Sequence, residues 1–340
     1  LAVLSAAHAR MGDDGPSLRL ANLMQLGHNM SVDLYLEQTI AGARLVVVRL
    51  LGGIGYWPYG VEQLSALCRE QNIALAVVPG DDHPDLELAQ SSTLPADACH
   101  KLWQYCAHGG RANAENFLKY GAHLLGFYAE WREPAPLIRA GIYWPGEDAP
   151  GLEELRAHWV AGQPVAAIIF YRALVQAEDL APVDALIQAL AARRLNPLPI
   201  FAGSMKDGAS GELIRSLMAE AQVQAVFNLT GFAISTPGQD GTDTHLTEIG
   251  RPVLQVILSG GAREAWEEGT QGLSPRDLAM NVALPEVDGR IITRAISFKQ
   301  AAHFDASTEV AVLRHEPIVH RVDFVADLGA AWVRLGRAAP

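Results

Sequence analysis

Short apolar, β-branched runs alternate along this chain with stretches whose apolar positions recur every three or four residues. Continuous apolar runs bounded by turn residues suit strands buried on both faces, and the longer period suits helices lying over them. The alternation therefore predicts α/β layers with mostly parallel sheets. Leu1–Ser5, Leu45–Leu50 and Ile73–Val78 read as strands, with helices near Val32–Ala41 and Tyr59–Gln71. Pro79-Gly80-Asp81-Asp82-His83-Pro84 has the chemistry of a loop. Helices follow near Ala96–Ala107 and Ala112–Tyr128, until Glu133-Pro134-Ala135-Pro136 breaks the pattern and closes a first domain, 1–134.

A second α/β domain, 137–282, opens at Leu137–Trp144. Its later strands are Val165–Phe170, Leu198–Phe201, Ala225–Leu229 and Pro252–Leu258, separated by helices Glu153–Val160, Leu180–Arg194 and Gly211–Ala221. Strands joined by crossover helices predict a flavodoxin-like or periplasmic-binding-protein-like sheet, so the chain reads as two Rossmann/flavodoxin-like lobes. Residues 283–340 add strands near Gly289–Ser297 and Glu309–Leu313 and a helix Pro317–Leu335, either starting a further α/β region or returning to the sheet. Thr236–Thr244 reads as a surface excursion.

The chain has 340 residues, 49% hydrophobic and 19% charged, enough for about two domains with their own cores. Its net charge of −12 argues against nucleic-acid or anionic-membrane partners. No run reaches the roughly 18 apolar residues of a membrane helix. Three cysteines, Cys68, Cys99 and Cys106, suit a reducing cytoplasm better than a disulfide scaffold. The first residue is not Met and the last ones follow an amphipathic helix, which reads as an excerpt of a longer polypeptide.

Candidate chemistry is sparse. Cys99-His100, Cys106 and His108 invite a metal, but two helical turns, about 10 Å, separate the thiols, which favours a buried helix face. The eleven histidines form no HxH, HxxxH or HExxH. GxSxG and GxxxxGK[ST] are absent, so the chain should not hydrolyse ATP itself. Gly203-Ser204-Met205-Lys206-Asp207 fits a ligand contact or a helix-capping turn equally.

Polar residues recur just past predicted strand ends: Arg49, Tyr171-Arg172, Lys206-Asp207, Asn228 with Thr230-Gly231, and Gly260-Gly261. In a doubly wound sheet they would converge on one rim, where Arg and Lys suit carboxylates. The most ligand-like stretch is Val46–Leu51 running into Gly52-Gly53-Ile54-Gly55-Tyr56-Trp57-Pro58-Tyr59-Gly60, a tight turn followed by flat aromatic area. Pro285–Arg290 with Ser297-Phe298-Lys299 forms a further polar cluster, whose bland reading is a surface salt-bridge network.

Several of these segments together resemble the N-terminal region of the aerobic cobaltochelatase large subunits, within the cobaltochelatase and magnesium chelatase family. They are Val47–Gly53 with Tyr56–Gly60, Leu75–Asp82, Gly109-Gly110 with Asn113-Ala114, Ile169–Arg172 with Leu186–Leu195, Pro199–Asp207 and Val282–Ile291. The resemblance implies a cytoplasmic, multisubunit ligase of aerobic cobalamin (vitamin B12) biosynthesis. Its substrates would be Co²⁺ and the tetrapyrrole hydrogenobyrinic acid a,c-diamide. ATP and Mg²⁺ would be used by partner subunits, an AAA+ ATPase and a subunit with an integrin-like domain. No catalytic motif of the family maps onto this chain. Arg49, Tyr56, Trp57, Tyr59, Tyr171, Arg172, Lys206 and Asn228 are the candidate ring-binding residues, the aromatics to stack and the cations to meet carboxylate arms. A magnesium chelatase H-type subunit acting on protoporphyrin IX, a free-standing ligand-binding module and a docking scaffold remain open alternatives.

Overall fold

The computed structural model describes residues 1–12, 16–147, 149–235, 244–246 and 248–338, with backbone alone at 301–303 and 337–338. The expected excursion at 236–244 falls, apart from Thr244, outside the described residues. The chain forms two compact units, Leu1–Leu137 with Ala302–Val312, and Ile138–Ala301 with Leu313–Pro340.

The first unit contains α1 (Ala2–Met11), α2 (Asn29–Gln38), β1 (Leu45–Leu50), α3 (Pro58–Glu70), β2 (Ala74–Pro79), α4 (Leu86–Ser91), α5 (Ala96–His108) and α6 (Gly110–Leu124). β1 and β2 pair in parallel from Leu45↔Ala74 to Leu50↔Pro79. α3 starts with Pro at its first position, where a missing N–H costs nothing, and buries Val61, Leu64 and Cys68 against the β1–β2 core. α5 and α6 cover the other face through Leu102, Trp103, Tyr105 and Tyr120.

One predicted strand is a helix. Leu1–Ser5 opens α1, an alanine-rich segment in which Val3, Leu4, Ala7 and Met11 pack on Ala114 and Leu118 of α6. That spacing has a helical period, and alanine is the strongest helix former. With that strand gone, this unit carries a two-stranded sheet among the described residues, not a Rossmann-like one. The helix predicted to reach Tyr128 also stops early, at Leu124, where Gly126 takes a left-handed φ of 81°.

The second unit is built from β3 (Ala140–Ile142), α7 (Leu152–Arg156), β4 (Val165–Tyr171), α8 (Arg172–Ala177), α9 (Ala181–Ala192), β5 (Asn196–Ala202), α10 (Gly208–Glu220), β6 (Ala225–Asn228), β7 (Val253–Ser259), α11 (Arg263–Glu268), α12 (Pro275–Leu278), α13 (Leu284–Val287), α14 (Val319–Ala338) and the parts of β8 (Ile291–Asp305) and β9 (Val310–Pro317) outside residues 302–312. α7 is shorter than the expected Glu153–Val160. A π-helical turn, Ala279–Ala283, joins α12 to α13. The strand order is β3-β5-β4-β6-β7-β8-β9, with β3 antiparallel to β5 and β5, β4, β6, β7 and β8 mutually parallel. Within the parallel core, the first, second and third strands in sequence are β4, β5 and β6, so the order is flavodoxin-like.

β4 is buried on both faces, as a central parallel strand must be. Val165, Ala167 and Ile169 join a core with Leu155 of α7 and with Ile214 and Met218 of α10. The alternating residues Ala166, Ile168 and Phe170 point to the opposite face, where α9 and α14 pack on the sheet. Residues 283–301 and 313–338 thus return to the same sheet.

Candidate functional site

The parallel strands end at different heights. Asn228, the last residue of β6, lies level with Ile169 of β4 and Gln255 of β7, whereas β4 runs on to Tyr171 and β7 to Ser259. The short strand leaves a notch between its neighbours. It falls at the point where strand order reverses between β4 and β6, the place where open α/β sheets hold ligands.

The chain leaving β6 occupies the floor of this notch. Leu229 N–H donates to Ile169 O at 2.7 Å, and Tyr171 Oη donates to Gly231 O at 3.0 Å. Beneath, Asn228 Nδ2 donates to Gln255 Oε1 (2.8 Å) and Thr230 O (2.9 Å), while Thr230 Oγ1 donates back to Asn228 Oδ1 (2.9 Å). Arg290 extends the network, donating to Gln255 Oε1 at 3.0 Å and to Asp288 Oδ2 at 2.6 Å. Asp288 also accepts from the Ile234 N–H at 2.8 Å and the Ser235 N–H at 3.1 Å.

The bland reading of Pro285–Arg290 as a surface salt-bridge network does not hold. The Asp288 and Arg290 side chains are 0% and 1% exposed, because the turn before β8 folds beneath the Thr230–Ser235 segment. Burial alone would raise the Asp288 pKa, but hydrogen bonds from Ser235 and Ile234 and the charge of Arg290 bring it below the usual value. Burial pushes the Arg290 guanidinium down against the pull of Asp288. Burial also raises the Tyr171 phenol, with Arg290 opposing, so Tyr171 acts as a hydrogen-bond donor.

Along the rim, Arg172 begins α8, nearly buried, and its Nε donates to Ile138 O at 3.0 Å. A Cβ on Gly203 would lie 4.0 Å from Arg172 Cδ, which places the loop after β5 beside it. Lys206 is exposed on this loop. Asp207 caps α10, accepting from Ser210 N at 3.1 Å and Ser210 Oγ at 2.6 Å, so that member of the loop is a capping residue. Tyr171, Arg172, Lys206 and Asn228 thus gather around one sheet edge. Asn228 is fully buried and supports the notch from below.

A second buried cluster lies where β7 ends. Ser259 Oγ donates to Asp277 Oδ2 at 2.7 Å, and Gly260 N–H to Asp277 Oδ1 at 3.2 Å. His315 meets Ser297 Oγ at 3.1 Å, and its backbone N–H donates to Asp179 Oδ1 at 2.9 Å. Sequence reasoning missed Gln255 and Asp277. Each is a polar residue beside apolar strand or helix positions, and that interruption was the available signal.

The other candidates belong to the first unit. Gly52 and Gly53 turn the chain after β1 with φ of 94° and 75°. Arg49 is exposed and donates to Gly80 O at 2.6 Å, tying the turn to the Pro79–Asp82 loop at the same sheet edge. Tyr56 is 62% exposed. Tyr59 Oη donates to Asp33 Oδ1 at 2.8 Å. Trp57 is a core side chain: it is 9% exposed, its Nε1 donates to Leu26 O at 2.8 Å, and α3 crosses its ring at Gly60. Burial raises the thiols of Cys68, Cys99 and Cys106, and no group of three or more His, Cys, Asp or Glu suited to a metal occurs among the described residues.

Fold and rim together define a doubly wound α/β unit with a switch-point notch bridged by the Tyr171 phenol and with Arg172 and Lys206 at the neighbouring strand ends. The CobN/Magnesium Chelatase family model matches residues 103–340. The chain is 48% identical over its whole length to an aerobic cobaltochelatase subunit CobN of Sinorhizobium sp, and 44% identical over 99% of it to that of Pseudomonas aeruginosa. It covers 27% of each. The solved structure of the catalytic subunit of cobaltochelatase from Mycobacterium tuberculosis matches 99% of the chain with a TM-score of 0.69 and 25% identity, over 27% of its own length. Magnesium-chelatase H subunits match over only 55% of the chain at 26–28% identity. The chain belongs to the CobN/magnesium chelatase family, and it spans about a quarter of the length of these curated relatives.

Proposed function

We propose that this chain is the N-terminal portion of the large subunit of an ATP-dependent cobaltochelatase, which inserts Co²⁺ into hydrogenobyrinic acid a,c-diamide during aerobic cobalamin biosynthesis. The observation that carries this reading is that cobaltochelatase sequences align with the whole chain, including its first hundred residues, while the magnesium enzymes align with about half. Partner subunits, an AAA+ ATPase and one with an integrin-like domain, use ATP and Mg²⁺. The complex works in the cytoplasm, and no described helix is long and apolar enough to cross a membrane.

Metal insertion requires the macrocycle to be held while two ring N–H protons leave and a dehydrated cation enters. The role we assign to this portion is holding. On the second unit the exposed ammonium of Lys206 suits a carboxylate arm; on the first unit, taken by itself, the guanidinium of Arg49 suits a carboxylate and the open ring of Tyr56 suits stacking. Tyr171 and Asn228 hold the chain across the notch through Gly231 and Thr230, and Arg172 fixes the neighbouring rim through Ile138.

Absorbance titration of the full-length subunit with hydrogenobyrinic acid a,c-diamide tests this. Lys206→Glu and Arg49→Glu, each made separately, should weaken binding about tenfold wherever that residue meets the ring, the scale of one lost charge-assisted hydrogen bond. Unchanged affinity with reduced ATP-driven cobalt insertion would turn the reading toward docking of the partner subunits. Unchanged affinity and unchanged insertion would end it.

A further inference from the structure

The two-stranded sheet of the first unit has one closed edge and one open edge. Ala74 N–H donates to Arg44 O at 3.1 Å and Gly80 N–H to Leu50 O at 2.6 Å, so the even-numbered residues of β1 and β2 bond to one another across the sheet. Successive residues of a strand turn their backbone groups to opposite sides. Leu75, Val77 and Pro79 therefore address the outer edge of β2, and Leu45, Val47 and Arg49 that of β1.

The β2 edge is answered by the chain that follows α4. Leu75 N–H donates to Thr93 Oγ1 at 2.8 Å, and Leu75 O accepts from Thr93 N–H at 2.9 Å and Leu94 N–H at 3.1 Å. Val77 N–H donates to Ser92 Oγ at 2.9 Å, and that hydroxyl donates to Val77 O at 3.4 Å. Pro79, the next outward residue, has no N–H to satisfy. The β1 edge has no such closure. The backbone N–H and C=O groups of Leu45, Val47 and Arg49 have no hydrogen-bond partner among the described residues.

The open edge carries none of the devices that keep a solvent-facing strand from pairing. β1 holds no Pro, no Lys and no bulge, and Leu45-Val46-Val47-Val48 is an unbroken apolar run. Both faces of the sheet are covered, by α3 over Val46, Val48 and Leu50 and by α5 and α6 over Val47. A strand added beside β1 would continue the layer between those helices and would be apolar on both faces, as β4 is in the second unit. The chain spans 27% of its CobN relatives and 27% of the solved catalytic subunit, so most of such a subunit lies outside it and can supply that strand. A second copy is a poorer occupant, because two chains of net charge −12 repel.

We propose that the outer edge of β1 is an interaction surface that takes a third, apolar strand from the part of the large subunit outside this chain. Main-chain bonds to Leu45, Val47 and Arg49 give the pairing, and the helix layers on either side select apolar side chains. The proposal rests on reading the chain as a portion of that subunit, and it is independent of what the subunit binds.

Residue-resolved amide exchange on the full-length subunit provides the test. The Leu45, Val47 and Arg49 amides should exchange at least about a hundredfold more slowly than unstructured ones, alongside Val46 and Val48, which β2 already protects. Protection at all three marks a ladder, and it should persist on dilution. Val47→Pro removes an outward N–H and leaves the bonds between β1 and β2 in place. It should therefore restore fast exchange at Leu45 and Arg49 while Val46, Val48 and β4 stay protected. Fast exchange at the three outward amides of the parent, or protection of fewer than three, overturns the proposal. Protection that vanishes on dilution also overturns it, by assigning the edge to a second copy. A subunit with protected edge amides that fails to bind hydrogenobyrinic acid a,c-diamide would uphold the third strand and count against the proposed function alone.

Discussion

Asp288→Asn probes the ion pair under the notch most directly. The carboxylate is fully buried, takes two backbone N–H groups and the Ser235 hydroxyl, and neutralises Arg290 at 2.6 Å. An amide keeps the shape but aims an NH₂ group at donors and leaves Arg290 charged in the interior, where its Nε already lacks a partner. Breaking a buried pair from one side costs about 3–5 kcal/mol. Against a total stability of roughly 5–15 kcal/mol for a domain, that leaves the second unit marginal. Arg290→Met removes the opposite partner, yet Asp288 retains its other three donors, so the expected loss is smaller, about 1–3 kcal/mol. The double variant should resemble Arg290→Met, since no unpaired charge remains, and the single effects should therefore not add. Because folding lowers the Asp288 pKa, its contribution is full above the ordinary carboxylate pKa and is lost as pH falls through the lower folded value. Urea unfolding followed by circular dichroism, with amide exchange read at β4, β6 and β7, supplies the free energies. If Asp288→Asn costs no more than Arg290→Met, the pair does not hold the notch as described.

Gly60→Val should lower the melting temperature by several degrees, because a Cβ there would stand 1.9 Å from Trp57 Cε2, and calorimetry would show it. His315→Gln should flatten the acid side of the stability profile. Burial, aided by Lys299 and opposed by Asp179 and Asp277, pushes the imidazole down from 6.5 to about 4. The folded state then binds fewer protons, so stability is full above pH 6.5 and declines toward pH 4, a loss that urea midpoints across that range should no longer show in the variant. Asp305→Ala should loosen the first unit near neutral pH, where the carboxylate holds Ser5, Ser307 and Thr308. Amide exchange at those residues should quicken, whereas below the folded pKa of Asp305 variant and parent should exchange alike.

The second unit was legible because its strands announce themselves. Val165–Phe170 and Leu198–Phe201 are unbroken apolar runs, and a strand buried on both faces has nothing else to display. The gathering of Tyr171, Arg172 and Lys206 at one edge followed from topology alone, since loops after parallel strands must meet. Leu1–Ser5 misled because five residues cannot separate a period of 2 from one of 3.6, and the helical partners Ala7 and Met11 lay just beyond that window. Asp288 and Arg290 misled for a different reason. Charge near a turn reads as surface, and only the fold shows that Ile234 and Ser235 lie over them.

Trp57 and Tyr56 stand next to each other in the turn that first looked like a binding wall, and the structure gives them opposite tasks. Trp57 anchors the turn before α2 to α3 through Leu26 and Gly60, so Trp57→Ala should cost about 3–5 kcal/mol, as for a large aromatic removed from a core. Any loss of ligand affinity in that variant would then follow from a loosened first unit and would say nothing about stacking. Tyr56 is open to solvent, and removing it should shift the melting temperature by no more than a typical surface substitution. Weaker tetrapyrrole binding by full-length Tyr56→Ala at an unchanged melting temperature is what a binding turn requires. If Tyr56→Ala binds as the parent does while Trp57→Ala fails in proportion to its lost stability, the turn serves to build the edge of the β1–β2 sheet and ring contact must be assigned elsewhere.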